Sequence, residues 1–256
     1  MVLTYSFATF VPKYVIHMQR LFFILTILFY SVLSLSSQSI SPAEIIAKSI
    51  EYHDPEGKLM KKDVMLYLTE TRPNGSDRKS EIGFNIRKEK FTMNQQIDEN
   101  RILSSYNKGE VDFEVNGSSE VDDDISKKYR LNADRLKMLR SYYQYLWLMP
   151  MKLMDEGTNF NPAVKTKDFF GKTSLEVRVT YDPGVGGDVW YFYFHPESYA
   201  LQGYRFYHDE VKNDGEYIIL DEEVTFKNVR LPKERKWYTH KEDKFLGADI
   251  LDKFEY

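Results

Sequence analysis

The sequence of 256 residues contains no cysteine. This absence excludes disulfides, thiolate metal sites, cysteine nucleophiles and the lipidated cysteine that anchors a bacterial lipoprotein. Positive charge is also scarce, because 35 lysines and arginines are outnumbered by 39 acidic residues and the formal net charge is −4. A weakly acidic chain is a poor candidate for binding nucleic acid, whose phosphates require clustered basic residues. We therefore expect no nucleic acid among the partners.

The motifs of common enzyme classes are missing as well. The sequence has no H-E-x-x-H zinc motif, no G-x-S-x-G nucleophile motif and no phosphate-binding loop. It therefore predicts no metal site, no cofactor and no catalytic residue, and it favours a binding protein over an enzyme.

A long hydrophobic run occurs only near the N-terminus. Residues 1–38 have the organisation of a signal peptide, because Arg20 precedes the apolar run Leu21–Leu33 and small residues follow at Ser34–Ser37. The run is shorter than the roughly 20 residues that a membrane-spanning helix needs. We predict cleavage after this region, with an uncleaved anchor as the alternative.

Export follows from this signal. Met18 is a candidate start, which would make residues 1–17 a mis-assigned extension. We expect a periplasmic or secreted protein that is not a lipoprotein, in which residues 39–256 form one domain because their composition does not change along the chain.

Two segments have helical signals. Ser41–Glu44 contains a cap, a proline at the first helical position and a glutamate that completes a capping box, and Pro55 ends the pattern. The second helix is predicted to begin after Asn132 and to end before Pro150.

Most of the remaining chain alternates between apolar and polar residues. Val64–Leu68 and Ile82–Ile86 follow this period of two on either side of the turn Pro73–Ser76, which predicts a hairpin. Similar short segments and turns continue to about residue 255, so the predicted sheet is antiparallel and meandering.

The strand Val189–Phe194 lacks this alternation, because all six of its residues are apolar or aromatic. A strand that is apolar on both sides must be covered on both faces by protein or ligand.

The chain resembles the LolA/LolB-like superfamily of periplasmic lipoprotein carriers and outer-membrane lipoprotein-sorting proteins. The exported start and three segments carry the resemblance: Ala43–Lys48, Trp190–Leu201 and Lys227–Pro232. A Bacteroidetes-type branch of this superfamily, DUF6503-like, is suggested by Tyr52–Gly57, Leu148–Leu153, Phe206–Glu210 and Asn213–Tyr217.

The resemblance implies an α+β fold that is mostly antiparallel β. The expected structure is an open, or half, β-barrel of about 10–11 strands wrapped around an N-terminal helix and a helical insertion, Asn132–Met154. The implied ligand is a lipid, an acyl chain or a lipoprotein. A monomer with transient contacts to membrane proteins of the envelope is expected.

Aromatic residues supply the candidate binding surface. They exceed what one sheet face needs, and phenol and indole groups can orient a ligand head group. The alternative is ordinary core packing. The predicted ligand-binding residues are Tyr143, Trp147, Met151, Trp190, Phe192, Tyr204, Phe206 and Trp237, and Tyr142 and Tyr145 belong to the same aromatic set.

A polar site is the competing hypothesis, with a hydrolase or metal-dependent enzyme as the function. Imidazole and carboxylate groups suit zinc binding and acid–base chemistry, but their spacing in this sequence matches no known motif. The alternative is that they end helices and strands. The residues are His53, Asp54, His208, Asp209 and Glu210.

The methionine-rich segment after the second helix is a candidate lid. Unbranched thioether side chains fit many apolar shapes. If residues 148–154 close over a cavity, Trp147 and Met151 should lie at its mouth. The alternative is a loop that plugs the open end of the barrel.

Overall fold

A computed structural model describes residues 40–256. The predicted signal peptide lies outside these residues. The helices are α1 (Pro42–His53), α2 (Asp123–Tyr129), α3 (Ala133–Trp147) and the 3-10 helix Met151–Met154. The strands are β1 (Val64–Thr71), β2 (Arg78–Asn85), β3 (Lys90–Ile97), β4 (Asn100–Asn107), β5 (Glu110–Val115), β6 (Thr158–Phe160), β7 (Lys165–Phe169), β8 (Lys172–Tyr181), β9 (Val189–Phe194), β10 (Leu201–Asp209), β11 (Asp214–Phe226), β12 (Val229–Thr239) and β13 (Phe245–Glu255).

The strands form one antiparallel sheet in the order β5-β4-β3-β2-β1-β13-β12-β11-β10-β9-β8-β6, and β7 also pairs with β8. The end strands β5 and β6 do not pair with each other, so the barrel is open, as predicted. The sheet has 13 strands rather than 10–11. The additional strands β6 and β7 are short, and their mostly polar residues lack the apolar alternation by which the other strands were predicted.

The helices form where their caps indicate. Ser41 and Glu44 make the reciprocal capping box at the start of α1, and Asn132 accepts a hydrogen bond from the amide of Arg135 at the start of α3. Both helices pack against the same side of the sheet, which we call the inner face, and their buried residues join one apolar core. Within residues 40–256, no helix is long and apolar enough to cross a bilayer.

Both faces of the second half of β9, residues 192–194, are covered by protein. On the inner face Phe192 and Phe194 are fully buried in the core. On the outer face the ring of Phe169, which ends β7, stacks on Tyr193 with a centroid distance of 4.0 Å. Gly203 permits this arrangement, because a Cβ atom there would lie 2.3 Å from the Phe169 ring.

The methionine-rich segment is not an open lid. Met151 and Leu153 lie in the 3-10 helix with 6% and 0% exposure, and Met149 is equally buried. Only Met154 is exposed, at 58%. The apolar residues of this segment belong to the same core as those of α1 and α3, and a role as a plug of the open end stays a prediction.

A row of four charged side chains crosses the middle of the sheet, of which three are buried and Arg78 is half-buried. Glu70 in β1 lies directly opposite Arg78 in β2 and Asp249 in β13, and Asp249 lies opposite Arg235 in β12. Directly opposite residues share one face of a sheet, so these four form what we call the charged row. Arg78 donates two hydrogen bonds of 2.8 Å to Glu70, and Tyr143 of α3 donates a third of 2.8 Å.

The pKa values of the two acids in the charged row are shifted in opposite directions. Burial opposes ionisation of Glu70, but the guanidinium of Arg78 and two hydroxyl donors outweigh it and lower the pKa of that carboxyl. Burial and the nearby Glu70 raise the pKa of Asp249. Arg235 is 1% exposed, lies 3.4 Å from the centre of the Trp147 ring and donates to the Leu146 carbonyl. The row thus joins four strands to α3.

We predict that Glu70→Gln lowers the free energy of unfolding by about 2 kcal/mol, because Arg78 loses its charged partner but, with 35% of its side chain exposed, is partly hydrated. Denaturant unfolding at pH 7 measures this change. Glu255→Gln is the matched control, since it breaks only the exposed pair with Lys253, and little change is expected. Equal losses in the two variants would show that the charged row contributes no more than a surface pair.

Candidate functional site

A cavity of about 420 Å³ lies between α3 and the inner face of the sheet. We call it the main cavity. Aromatic side chains dominate its wall, with polar residues grouped around them. Its lining residues are Arg72, Tyr142, Tyr145, Leu146, Asp188, Trp190, Phe206, His208, Glu216, Trp237, Leu246, Gly247 and Asp249.

Two sides of α3 carry different sets of residues, one packed in the core and one lining the main cavity. Leu136, Tyr143 and Trp147 recur on one side of the helix and are buried in the core. Tyr142 and Tyr145 lie on the adjoining side and line the main cavity. One helix therefore supplies both the core and one wall of the site.

The sheet supplies the opposite wall through neighbouring strands. Trp190 of β9 and Phe206 of β10 are paired in register, and their ring centroids are 4.7 Å apart. Trp190 also approaches Tyr145 of α3 at 5.4 Å. Trp237 of β12 stacks with Tyr142 at 6.1 Å. The walls are thus held by aromatic contacts between helix and sheet.

A second cavity of about 510 Å³ adjoins the first, and we call it the side cavity. Tyr142, Tyr145, Asp188 and Trp190 line both. Val185 and the glycines before β9 line the side cavity only. The two spaces together extend along the exposed side of α3.

Polar groups occupy one side of the main cavity. Asp249 is 6% exposed and accepts a 2.9 Å hydrogen bond from the Trp237 indole. His208 Nδ1 lies 2.7 Å from Asp188, whose hydrogen bond raises the pKa of the imidazole. Burial raises the pKa of Glu216, and the nearby His208 acts in the opposite direction by lowering it. Within residues 40–256, no Lys, Arg or His pairs directly with Glu216.

The eight predicted ligand-binding residues fall into two groups by their position in the structure. Trp190, Phe206 and Trp237 line the main cavity. The other five lie in the core beneath it and do not line either cavity: Tyr143, Trp147, Met151, Phe192 and Tyr204. Of the aromatic residues on α3, Tyr142 and Tyr145 line the main cavity. Helical spacing places them beside the buried side of α3 that contains Leu136, and this spacing was the signal in the sequence that could have identified them.

The predicted polar residues do not form one site. His53 is fully buried, its Nδ1–H donates to the Arg230 carbonyl at 2.8 Å, and its Nε2 accepts from the Leu201 amide at 3.0 Å. Leu201 and His208 are at opposite ends of β10. Seven residues of strand separate them by roughly 20 Å at about 3.3 Å per residue. His53 and His208 therefore cannot share a ligand shell.

The acids of the same hypothesis have structural partners. Asp54 accepts hydrogen bonds from the amides of Lys58 and Leu59 at the end of α1. Asp209 accepts from the Val211 amide in the turn after β10. Glu210 pairs with Arg178 at 3.0 Å. Within the described residues, no three histidine or acidic side chains are grouped to hold a metal ion.

The model of DUF6503, a family of unknown function, matches residues 19–252. The chain belongs to this family. No curated protein sequence matches it.

Several solved structures are similar to this DUF6503 member, and the first described here has its fold. A LolA superfamily protein from Nitrosomonas europaea superposes with a TM-score of 0.51 and 8% identity, over 85% of this chain and 94% of the other. A DUF1329 family protein from Desulfovibrio piger superposes with a TM-score of 0.49 and 8% identity, over 84% of this chain and 92% of the other. An outer membrane lipoprotein-sorting protein domain from Vibrio parahaemolyticus superposes with a TM-score of 0.44 and 11% identity, over 82% of this chain and 92% of the other. The predicted LolA-like fold is confirmed, and identities this low concern the fold alone.

Burial of His53 predicts a pH dependence of stability. Burial lowers the pKa of its imidazole to about 4, whereas the unfolded chain takes up the proton near the ordinary value of 6.5. The unfolded state therefore binds more protons between pH 6.5 and 4, so the contribution of His53 to the free energy of unfolding falls as pH falls through this window. The loss is at most about 3 kcal/mol.

Denaturant unfolding of the wild type and His53→Gln across pH 4–7 measures this effect. We expect the stability difference between them to shrink as pH falls. His208→Gln is the control with the opposite sign, because Asp188 raises the pKa of His208 and its contribution is lost as pH rises. A constant difference between wild type and His53→Gln would contradict the buried neutral imidazole.

Proposed function

We propose that this protein is an exported binding or carrier protein of the periplasm that holds the apolar part of an amphiphile. The ligand class is a lipid, a free acyl chain or the acyl chain of a lipoprotein. The observation that carries the proposal is the aromatic wall of the main cavity, formed by Tyr142, Tyr145, Trp190, Phe206 and Trp237.

The size and chemistry of the cavities support this proposal. Sites for small molecules have volumes of about 300–1,000 Å³ and are lined mainly by apolar and aromatic groups with a few polar ones. The main cavity has about 420 Å³ and shares the lining residues Tyr142, Tyr145, Asp188 and Trp190 with the side cavity. An elongated apolar group could therefore occupy both.

The positions of the polar residues favour binding over catalysis. Both ring nitrogens of His53 are occupied by backbone groups, and Asp54 and Asp209 stabilise turns. None of these residues lines the main cavity. A carrier also requires a route of exchange, and we infer transient contact with membrane proteins of the envelope while the protein is a monomer.

Ligand uptake can be measured from the protein's own fluorescence. The chain has three tryptophans, of which Trp190 and Trp237 line the main cavity and Trp147 is in the core. We expect a long-chain fatty alcohol to bind in the micromolar range and to shift tryptophan emission to shorter wavelength, because the chain displaces water from the indole rings. Native mass spectrometry should show one alcohol per protein.

The variants Trp190→Ala and Tyr191→Ala form a matched pair, because adjacent residues of β9 project to opposite faces of the sheet. We expect Trp190→Ala to weaken alcohol binding by about tenfold, consistent with the loss of an aromatic contact. Tyr191→Ala should leave affinity unchanged. No alcohol bound to the wild type, in either assay, would exclude the proposed function.

A further inference from the structure

The charges around the main cavity are not balanced. Three acidic side chains line it, Asp188, Glu216 and Asp249, against the two basic side chains Arg72 and His208. Asp188 is paired with His208 at 2.7 Å, and Arg72 approaches Asp249 at 3.7 Å. Glu216 remains as a carboxylate that no basic side chain of residues 40–256 pairs with directly.

The position of Glu216 places this charge beside aromatic rings. Glu216 lies directly opposite Phe206 in the pairing of β10 with β11, and Phe206 lies opposite Trp190 in the pairing of β9 with β10. All three line the main cavity together with Trp237. The faces of indole and phenyl rings carry negative electrostatic potential, so rings and carboxylate attract the same kind of group.

Burial removes part of the hydration of the Glu216 carboxylate. Glu216 is only partly exposed, and burial already disfavours its charged form. A ligand cation would compensate the carboxylate and contact the ring faces at the same time. A ligand anion would be repelled by the unpaired Glu216, so the arrangement discriminates by charge.

We propose that the main cavity binds an amphiphile through an ammonium head group, with the ammonium between Glu216 and the rings of Trp190 and Phe206 and the apolar chain extending along Tyr142 and Tyr145. This inference rests on the proposed function and specifies its ligand class. Aromatic ring faces are a recurrent means of recognising ammonium ligands, and here a carboxylate lies beside them.

Three probes of equal chain length test the proposal: a long-chain primary amine, the corresponding alcohol and the corresponding fatty acid. Affinities are measured below the aggregation concentration of each probe, by tryptophan emission and native mass spectrometry at pH 7. We expect the wild type to bind the amine about tenfold more tightly than the alcohol, and the acid less tightly than the alcohol.

Glu216→Gln should remove the preference for the amine while leaving affinity for the alcohol within about twofold, since the two side chains are nearly equal in shape. Glu110→Gln is the matched control, because Glu110 is exposed on β5 at the far end of the sheet and its loss changes net charge equally. This control should keep the amine preference. Retained alcohol binding shows that each variant is folded.

The outcomes separate this inference from the proposed function. Failure of all three probes to bind would overturn both. Equal binding of alcohol and amine, or tighter binding of the acid, would overturn the ammonium site and leave a carrier of apolar chains. A preference for amine that Glu110→Gln reduces as much as Glu216→Gln does would show attraction to overall charge and would also overturn the site.

Discussion

The ion pair between Glu70 and Arg78, with its extension through Asp249 to Arg235, fixes the centre of this structure. Four charged residues lie side by side on the inner face of neighbouring strands, where the rest of the core is apolar. Charges in such a place are tolerated only if their partners are held in position, because an unpaired buried charge is costly. Tyr143 and the carbonyl of Leu146 bring α3 into this set of contacts. The helix therefore has one defined position on the sheet.

The site depends on that position. With Tyr143 bound to Glu70 and Trp147 stacked on Arg235, the adjoining side of α3 projects Tyr142 and Tyr145 toward β9, β10 and β12. Asp249 belongs both to the charged row and to the lining of the main cavity. The same contacts thus anchor the helix and supply part of the polar rim. An apolar core of similar volume could stabilise the sheet, but it would not orient the helix by directional hydrogen bonds.

Local signals in the sequence were sufficient for most of the elements. The capping box at Ser41 and the cap at Asn132 predicted the two main helices, and the period of two predicted the hairpins. The assignment of aromatic residues to core or cavity was not local. Phe192 and Trp190 lie on the same face of β9, yet one is in the core and the other lines the cavity, because α3 covers only part of the strand. The structural role of His53 could not be predicted from the sequence either, because its hydrogen-bond partners Leu201 and Arg230 are remote in sequence.

The pairing of β1 with β13 has a consequence for how the molecule is made. These strands lie next to each other in the middle of the sheet, although Glu70 and Asp249 are at opposite ends of the described chain. During synthesis the hairpins from β1 to β5 can form as soon as they emerge, since their contacts are local. The pairing of β1 with β13 must wait until β13 is synthesised, and until then β1 presents an unpaired edge on that side. The main cavity, whose wall includes Leu246, Gly247 and Asp249 of β13, is therefore complete only after this last pairing has formed.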